Sequence, residues 1–255
     1  RVLFRSGVTG VDSGNLAAIQ SALTSSAITG TLADTTTEVQ TVVDAFNRIL
    51  AEPNGTAADA AAQDPTVADY QAIGVTLGAI TTNTSGLALL KDSLGAQTST
   101  GVDSVTEINA LAANVNSLLT TAAGGTGSPV LLAADLALMG VTGLTDAAMT
   151  VLRQLVAATA DDGSGIASLS QLQAIADTAM ARAGALNTIA SYAQANAATN
   201  GLTVPNATTY NTAGVTLPAV TGLTSSQVAD AINSALLTSS VTGAQADSTA
   251  QVQAL

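Results

Sequence analysis

Two adjacent acids, Asp161 and Asp162, have the residue types and spacing that come nearest to a metal site in this sequence. They precede the turn segment Gly163-Ser164-Gly165, and loops of this kind offer carboxylate and backbone oxygens to Ca²⁺. The segment lacks the alternating oxygen ligands and the distant bidentate Glu of an EF-hand loop. Two interpretations therefore stay open: a Ca²⁺ site at Asp161 and Asp162, or a solvated turn between two helices.

Other carboxylates lie where they could serve a helix rather than a substrate. Glu38 and Glu107 each follow a hydroxyl residue by three positions, which is the spacing of a helix capping box. A catalytic pair would need two carboxylates brought together in a cleft, and the sequence does not indicate one. Three further acids directly precede a capping hydroxyl: Asp34, Asp103 and Asp247. They could act at a helix N-terminus or in a shared metal site, but Ala167 replaces the acid in the third copy.

The composition argues against several functions. The chain contains no Cys and no His, so it has no thiol nucleophile, disulfide, imidazole base or usual zinc ligand. A formal charge of −12 makes nucleic acid an unsuitable partner. Residues 183–229 are uncharged, but polar residues interrupt every apolar run before it reaches the roughly 20 residues of a membrane span. We therefore predict no enzyme activity, no membrane span and no cofactor, the Ca²⁺ alternative aside.

The capping-box spacing recurs four times along the chain. The copies are Thr35-x-x-Glu38, Ser104-x-x-Glu107, Ser168-x-x-Gln171 and Ser248-x-x-Gln251. Apolar residues follow the first two copies at offsets of 0, 3, 4, 7, 10 and 11, counted from Val39 and from Ile108. This pattern predicts a helix with one buried face. The third copy continues through Leu186, Ile189 and Tyr192, which predicts a longer helix.

A second pattern, Gly-Val-Thr, recurs at spacings of 67, 66 and 74 residues. Its copies begin at Gly7, Gly74, Gly140 and Gly214. From this period we predict repeat units at 7–75, 76–141 and 142–215, with a partial unit at 216–255. One repeat position holds Tyr70, Leu136 and Tyr210. The replacement of Tyr by Leu indicates a core residue rather than a platform for stacking sugars.

Each unit is predicted to contain three helices. The first helix of the first unit carries Leu16, Ile19 and Leu23 on one face, with Asp12 or Ser13 as its N-cap. The second helix begins at the capping box. The third is short and follows a proline, a residue favoured in the first turn of a helix, and the Gly of Gly-Val-Thr lies just past its end. The prolines that precede it are Pro65, Pro129 and Pro205.

The predicted fold class is all-α, as a tandem array of three-helix repeat units of about 66–74 residues packed in series. Ala-rich units of this size bury too little apolar surface to be stable alone, so neighbouring repeats of the chain are the expected partners. Residues 1–6 match the in-frame translation of a common sequencing adaptor, and we interpret them as an artefact. We interpret the remainder as a fragment of a longer protein from environmental sequence.

Three segments carry a family resemblance: Ala68-Asp69-Tyr70-x-Ala72-Ile73-Gly74-Val75-Thr76, the helix pattern at Leu16–Ile19, and the Thr36–Gln40 box. They resemble the tandem helical modules of very long, adhesin-like bacterial surface or secreted proteins. The resemblance implies an extracellular or cell-surface structural segment, such as a stalk, spacer or fibre. The alternative is an adhesion module whose inter-repeat loops bind surface glycans, other protein chains or Ca²⁺. The resemblance transfers no binding residues.

Overall fold

The structure is a computed structural model, and it describes residues 7–55, 64–195, 201–237 and 241–254. The predicted artefact at 1–6 lies outside this part of the chain. The described residues form eleven α-helices: α1 Leu16–Leu23, α2 Thr36–Ala51, α3 Val67–Ala72, α4 Thr84–Gly95, α5 Val105–Ala122, α6 Ala133–Leu138, α7 Met149–Ala157, α8 Leu169–Gln194, α9 Ala207–Thr212, α10 Ser225–Leu236 and α11 Thr249–Ala254. No β-strand occurs among them, and one isolated bridge pairs Asn54 with Thr98. The prediction of an all-α chain is confirmed.

The chain divides into two compact units. The first unit comprises Arg1–Leu144 and Arg153–Ile175, and the second comprises Thr145–Leu152 and Ala176–Leu255. This division is coarser than the four segments that the sequence period predicts. The boundaries of those segments stay a prediction.

The core of the first unit contains the apolar faces of α2 and α5. All six apolar positions predicted for α5 are buried: Ile108, Leu111, Ala112, Val115, Leu118 and Leu119. In α2, Val42, Val43, Phe46 and Ile49 are buried, whereas Val39 and Leu50 at the edges of the face are partly exposed. The spacing of three and four residues placed these side chains on one side of each helix, as a period of 3.6 requires.

The helix starts follow the predicted capping boxes. Before α5, the Glu107 N–H donates to Ser104 Oγ over 3.3 Å, and Glu107 Oε2 accepts from the Ser104 N–H over 3.0 Å. The same reciprocal pair joins Thr35 and Glu38 before α2. These bonds satisfy amides that the helix itself leaves without partners. The predicted role of Glu38 and Glu107 as capping residues is confirmed.

We expect Ser104→Ala to lower the free energy of unfolding by about 1 kcal/mol, because it removes an N-cap acceptor. Urea denaturation followed by circular dichroism measures this change. Thr106→Ala, at an exposed position in the same helical turn, is the matched control and should change stability by less than about 0.5 kcal/mol. Equal losses in the two variants would contradict the capping role.

Three short helices end in the same way. In α3 the Val75 N–H donates to the Tyr70 carbonyl over 2.9 Å, and the Gly74 N–H donates to the Gln71 carbonyl over 3.0 Å. The equivalent bonds close α6 at Gly140 and Val141, and α9 at Gly214 and Val215. Each glycine has a positive φ: 87° for Gly74, 101° for Gly140 and 82° for Gly214. This is the Schellman turn, and the predicted glycine at the helix end is confirmed.

Each of these short helices follows its proline, as predicted, but the prolines lie before the N-cap and not in the first turn. Pro65 and Pro205 lie one residue before the N-caps Thr66 and Asn206, and Pro129 lies further upstream of α6. The two N-caps have extended backbones, with ψ of 167° and 178°. A residue with a side-chain acceptor can occupy the cap, so the helix starts after it and the proline stays outside.

Candidate functional site

The loop with the predicted metal ligands is a hydrogen-bonded turn in the first unit. Asp162 Oδ1 accepts from the Ser164 N–H over 2.8 Å, and Gly163 between them has φ of 76°. The hydrogen bonds from the backbone and hydroxyl of Ser164 lower the pKa of Asp162. The Asp162 carbonyl accepts from Asn83 Nδ2 over 3.0 Å. Both acids are exposed, and the Asp162 carboxylate accepts the hydrogen bond that closes this turn.

This turn has few additional ligands for a metal ion. Within the described ranges, no group of three or more His, Cys, Asp or Glu side chains is placed to hold an ion. Calcium takes six to eight oxygen ligands, so Asp161 and Asp162 would need backbone carbonyls and water to complete a site. The assignment of Ca²⁺ to these two residues stays a prediction.

The acid before the first capping box, Asp34, takes part in the hydrogen bonds of that box. Glu38 Oε2 accepts from the Thr35 hydroxyl over 2.9 Å and from the Asp34 N–H over 3.2 Å. The bonds from the side chain and backbone of Thr35 lower the pKa of Glu38. The hydrogen bond and charge of Glu38 raise the pKa of Asp34. Asp34 is exposed and Glu38 is partly exposed, and their arrangement is that of a helix N-terminus.

An open cleft of about 290 Å³ lies in the first unit, and Asp103 is on its wall. It lies among the loop before α1, the C-terminal turns of α2 and the loop before α5. Its lining residues are Asp12, Gly14, Asn15, Asn47, Leu50, Ala51, Ser99, Thr100 and Asp103. The sequence did not indicate this cleft, because its walls come from segments far apart in the chain.

The amide side chains in the cleft are used to hold the loop before α1. Asn15 Nδ2 donates to the Gly10 carbonyl and to Asn47 Oδ1, each over 2.7 Å, and Asn47 Nδ2 donates to the Gly10 carbonyl over 2.9 Å. Asp12 Oδ1 accepts from the Gly14 N–H over 2.7 Å and from the Asn15 N–H over 3.2 Å. These bonds stabilise the loop and leave Asp103 as the second carboxylate on the wall.

Asn15 lies directly before Leu16 but makes no side-chain cap bond to α1, and Asp12 supplies the capping hydrogen bonds one turn earlier, as predicted. The Asp12 carboxylate bonds to amides two and three residues ahead, which forms a turn before the helix. The helix then begins at Leu16.

Four threonines are each held by an amide side chain, an arrangement that we call the amide clamp. The Thr N–H donates to the side-chain oxygen over 2.7–2.8 Å in the pairs Thr9–Gln40, Thr76–Asn109, Thr142–Gln173 and Thr216–Gln253. In the three Gln copies, Nε2 also donates back to the Thr carbonyl over 3.0–3.1 Å. Each clamp therefore ties the Thr of Gly-Val-Thr to the helix that follows the capping box.

The sequence contains a signal for the clamp in the relative positions of its two repeated patterns. Each amide residue lies two positions after the Glu or Gln of its capping box, and each threonine completes a Gly-Val-Thr. Taken one at a time, the two patterns predict only a helix start and a helix end. Their pairing depends on tertiary structure, which neither pattern specifies alone.

We expect Gln40→Ala to cost about 1 kcal/mol of unfolding free energy, because it removes both clamp bonds to Thr9. Gln40→Glu should cost at least as much, since a carboxylate cannot donate to the Thr9 carbonyl and would face Asp44, which accepts from Nε2 over 2.8 Å. Thr37→Ala, at an exposed position of α2, is the control. Unchanged urea midpoints for both Gln40 variants would show that the clamp adds no stability.

Buried tyrosines belong to the core rather than to a surface site. Tyr70, Leu136 and Tyr210 are all 0% exposed, as predicted for this repeat position. In the second unit, the Tyr210 hydroxyl donates to Asn233 Oδ1 over 2.6 Å, and Asn233 Nδ2 donates to the Pro205 carbonyl over 2.7 Å. Burial raises the pKa of both tyrosines far above its ordinary value. The hydroxyls therefore stay protonated.

The described residues define an all-helical protein whose polar side chains mainly cap helices and hold loops. None of the described helices combines the length and the apolar character that a membrane crossing requires. Comparison with protein-family models, curated proteins and solved structures gave no match to the chain. The function is therefore inferred from the chain's own residues.

Proposed function

We propose that the chain is a tandem array of three-helix units and serves as a non-enzymatic spacer or stalk segment of a large bacterial surface or secreted protein. The proposed units are 7–75, 76–141 and 142–215, with a partial unit at 216–255. Each unit would pack against the next through the segment that carries Gly-Val-Thr. The partners in this proposal are the neighbouring repeats of the same chain.

The observation that carries the proposal is the recurrence of the amide clamp. Four clamps join equivalent positions, two residues after each capping box and at the Thr of each Gly-Val-Thr. The clamped Thr76 and Thr142 directly follow the Schellman turns of α3 and α6. One helix end is thereby fixed to the next capped helix. By the proposed bounds each clamp lies inside one unit, where it holds the Thr at the start of the unit beside the capped helix of that unit. Recurrence of this arrangement at every proposed unit start supports a serial array.

The surface chemistry supports a mechanical role over catalysis. Charged residues make up 9% of the chain, and six of the described acids accept hydrogen bonds from backbone amides two or three residues away. A chain with few charges and few exposed aromatic anchors has little with which to recognise a specific partner. Such a surface suits a segment that sets a distance between other domains.

Deletion of one complete unit tests the repeat organisation. Removal of residues 76–141 joins Val75 to Thr142 and so restores a Gly-Val-Thr junction, with Gln173 available for its clamp. We expect this variant to keep the helical content per residue and to unfold cooperatively. The matched control removes only 76–102, which contains α4. If the longer deletion abolishes the helical circular dichroism signal, the array is rejected.

Insertion of one more copy of 76–141 after Val141 tests the spacer role. In solution X-ray scattering, the radius of gyration of a serial array should rise nearly in proportion to the number of units. A compact globule would follow a much weaker dependence, with an exponent of about 0.38 on chain length. An increase that follows this weaker dependence would contradict the spacer.

The Ca²⁺-dependent adhesion module is the alternative outcome of a thermal unfolding series with Ca²⁺ and with chelator. A spacer should give the same melting temperature in both conditions. A ligand at about one hundred times its Kd would add about 2.7 kcal/mol to the unfolding free energy. A chelator-reversible increase that disappears in the Asp161→Asn, Asp162→Asn double variant would assign the metal to this loop and favour the adhesion module.

A further inference from the structure

The pair Asn54-Gly55 combines a reactive sequence with an unusual backbone environment. Asn54 is exposed three residues after the end of α2, and Gly55 has φ of 81°. In an Asn-Gly pair the backbone nitrogen of Gly can attack the Asn side-chain amide, because glycine has no Cβ to hinder the approach. Chemically, this is the sequence in which asparagine deamidates most readily.

In the folded chain, hydrogen bonds of the Gly55 N–H hinder attack of its nitrogen on Asn54. The Gly55 N–H donates to two carbonyls at the end of α4, to Gly95 over 3.0 Å and to Gln97 over 3.1 Å. The adjacent residue Asn54 forms the isolated bridge with Thr98. Attack requires loss of the Gly55 amide proton and rotation of this peptide. Both changes require the two hydrogen bonds to break first.

We propose that Asn54 is a deamidation site whose reactivity is controlled by opening of the contact between residues 54–55 and 95–98. After opening, a base removes the Gly55 amide proton, and the nitrogen attacks Cγ of Asn54. The side-chain nitrogen leaves as ammonia, and a five-membered cyclic imide remains. Water then opens either imide carbonyl and gives aspartate or isoaspartate. One water is consumed and one ammonia is released, with no oxidant or reductant.

The products would change this junction permanently. Either product places a carboxylate where the chain has a neutral amide, two residues from the buried Glu52. Isoaspartate also adds a methylene to the backbone at the position that bridges to Thr98. The pairing between residues 54–55 and 95–98 would then lose its register. The amount of aspartate and isoaspartate at position 54 therefore reflects how often this part of the first unit has opened.

The test compares the full chain in native buffer and in concentrated urea at mildly alkaline pH, with peptide mapping by mass spectrometry. Asn200-Gly201 has the same dipeptide sequence and serves as the reference for the reaction in urea. We expect Asn54 to react in urea at a rate similar to Asn200, and at least about tenfold more slowly in native buffer, equivalent to about 1.4 kcal/mol of opening free energy. Equal rates for Asn54 in both conditions, or no product at Asn54 in urea, would overturn the proposal.

Two core variants separate local opening from a general loss of stability. Leu94→Ala removes a side chain that is 0% exposed at the end of α4, so it should accelerate the native reaction at Asn54 and leave the urea rate unchanged. Leu236→Ala removes a side chain of the same burial in the second unit and should leave Asn54 unaffected. Hydrogen exchange of the Gly55 amide should rise together with deamidation. Acceleration by Leu236→Ala but not by Leu94→Ala would contradict the proposed opening.

Discussion

Asp69→Ala should lower the free energy of unfolding by about 3 kcal/mol, because one carboxylate satisfies four donors. Asp69 Oδ1 accepts from Arg48 Nε over 2.9 Å and from Nη2 over 2.6 Å. Its Oδ2 accepts from the Thr66 N–H over 2.9 Å and from the Thr66 hydroxyl over 2.7 Å. Asp69 is 5% exposed, whereas the Arg48 side chain is 41% exposed and can regain water. Most of the loss therefore comes from the Thr66 donors and from the helix start.

Asp135→Ala is the matched control for this variant. Asp135 occupies the same position in α6, where its Oδ2 accepts from the Leu132 N–H over 2.8 Å. The N-cap there has no hydroxyl, so we expect a loss of about 1 kcal/mol. Urea denaturation of the two variants measures the difference. Losses of equal size would mean that Arg48 and the Thr66 hydroxyl add nothing.

The stability that Asp69 contributes should depend on pH with a defined sign. Burial by itself would raise the pKa of Asp69, but hydrogen bonds from Arg48 and from the backbone and hydroxyl of Thr66 lower it overall. A carboxyl with a lower pKa in the folded chain stabilises fully above its unfolded pKa of about 3.9. The contribution is lost as pH falls through the folded pKa. The difference between the unmodified chain and Asp69→Ala should therefore persist at pH 7 and shrink in acid.

Gly140→Ala should destabilise the chain by about 3 kcal/mol, because the added Cβ causes both backbone strain and steric overlap. Gly140 has φ of 101°, a conformation that costs an L-residue about 1 kcal/mol or more. A Cβ there would also lie 2.9 Å from Ala96 Cβ and 2.9 Å from Leu169 Cδ2. Leu169 can change rotamer, but the Ala96 methyl moves only with its backbone. Overpacking of this kind costs about 1–3 kcal/mol.

Gly124→Ala separates the backbone term from the packing term. Gly124 has φ of 76° at the end of α5, and a Cβ there would meet no atom within 4 Å. It should therefore lose only the conformational part, about 1 kcal/mol. Thermal unfolding of both variants gives the comparison. If Gly124→Ala is as damaging as Gly140→Ala, the contact with Ala96 and Leu169 is not what makes Gly140 sensitive.

The elements that the sequence predicted well are those specified by local chemistry. The start of α5 follows from Ser104 and Glu107, and its buried face follows from apolar residues three and four apart. The end of α6 follows from Gly140, because glycine suits a positive φ. Each of these features needs only a few neighbouring residues. They could be inferred without knowledge of the tertiary structure.

The features that the sequence did not predict depend on choices between neighbouring candidates or on distant segments. The regular helix α1 begins at Leu16, one turn later than the capping residue Asp12, because residues 13–15 form a hydrogen-bonded turn. Pro65 lies before the cap of α3, since Thr66 fills that position. The cleft beside Asp103 joins loops separated by about ninety residues of chain. The residue types of Asp161 and Asp162 suggest ligands for Ca²⁺. The sequence does not show that the Asp162 carboxylate accepts a hydrogen bond from the Ser164 N–H, which sets the geometry of the turn.

The amide clamps have a consequence for the conditions in which these junctions hold. The pairing of Gln173 with the backbone of Thr142 joins two neutral groups over 2.8 and 3.0 Å. Salt screens interactions between exposed charges beyond a Debye length of about 8 Å at physiological ionic strength, but it has little effect on a short dipolar bond. Junctions of this kind should therefore stay equally firm in dilute and in saline surroundings.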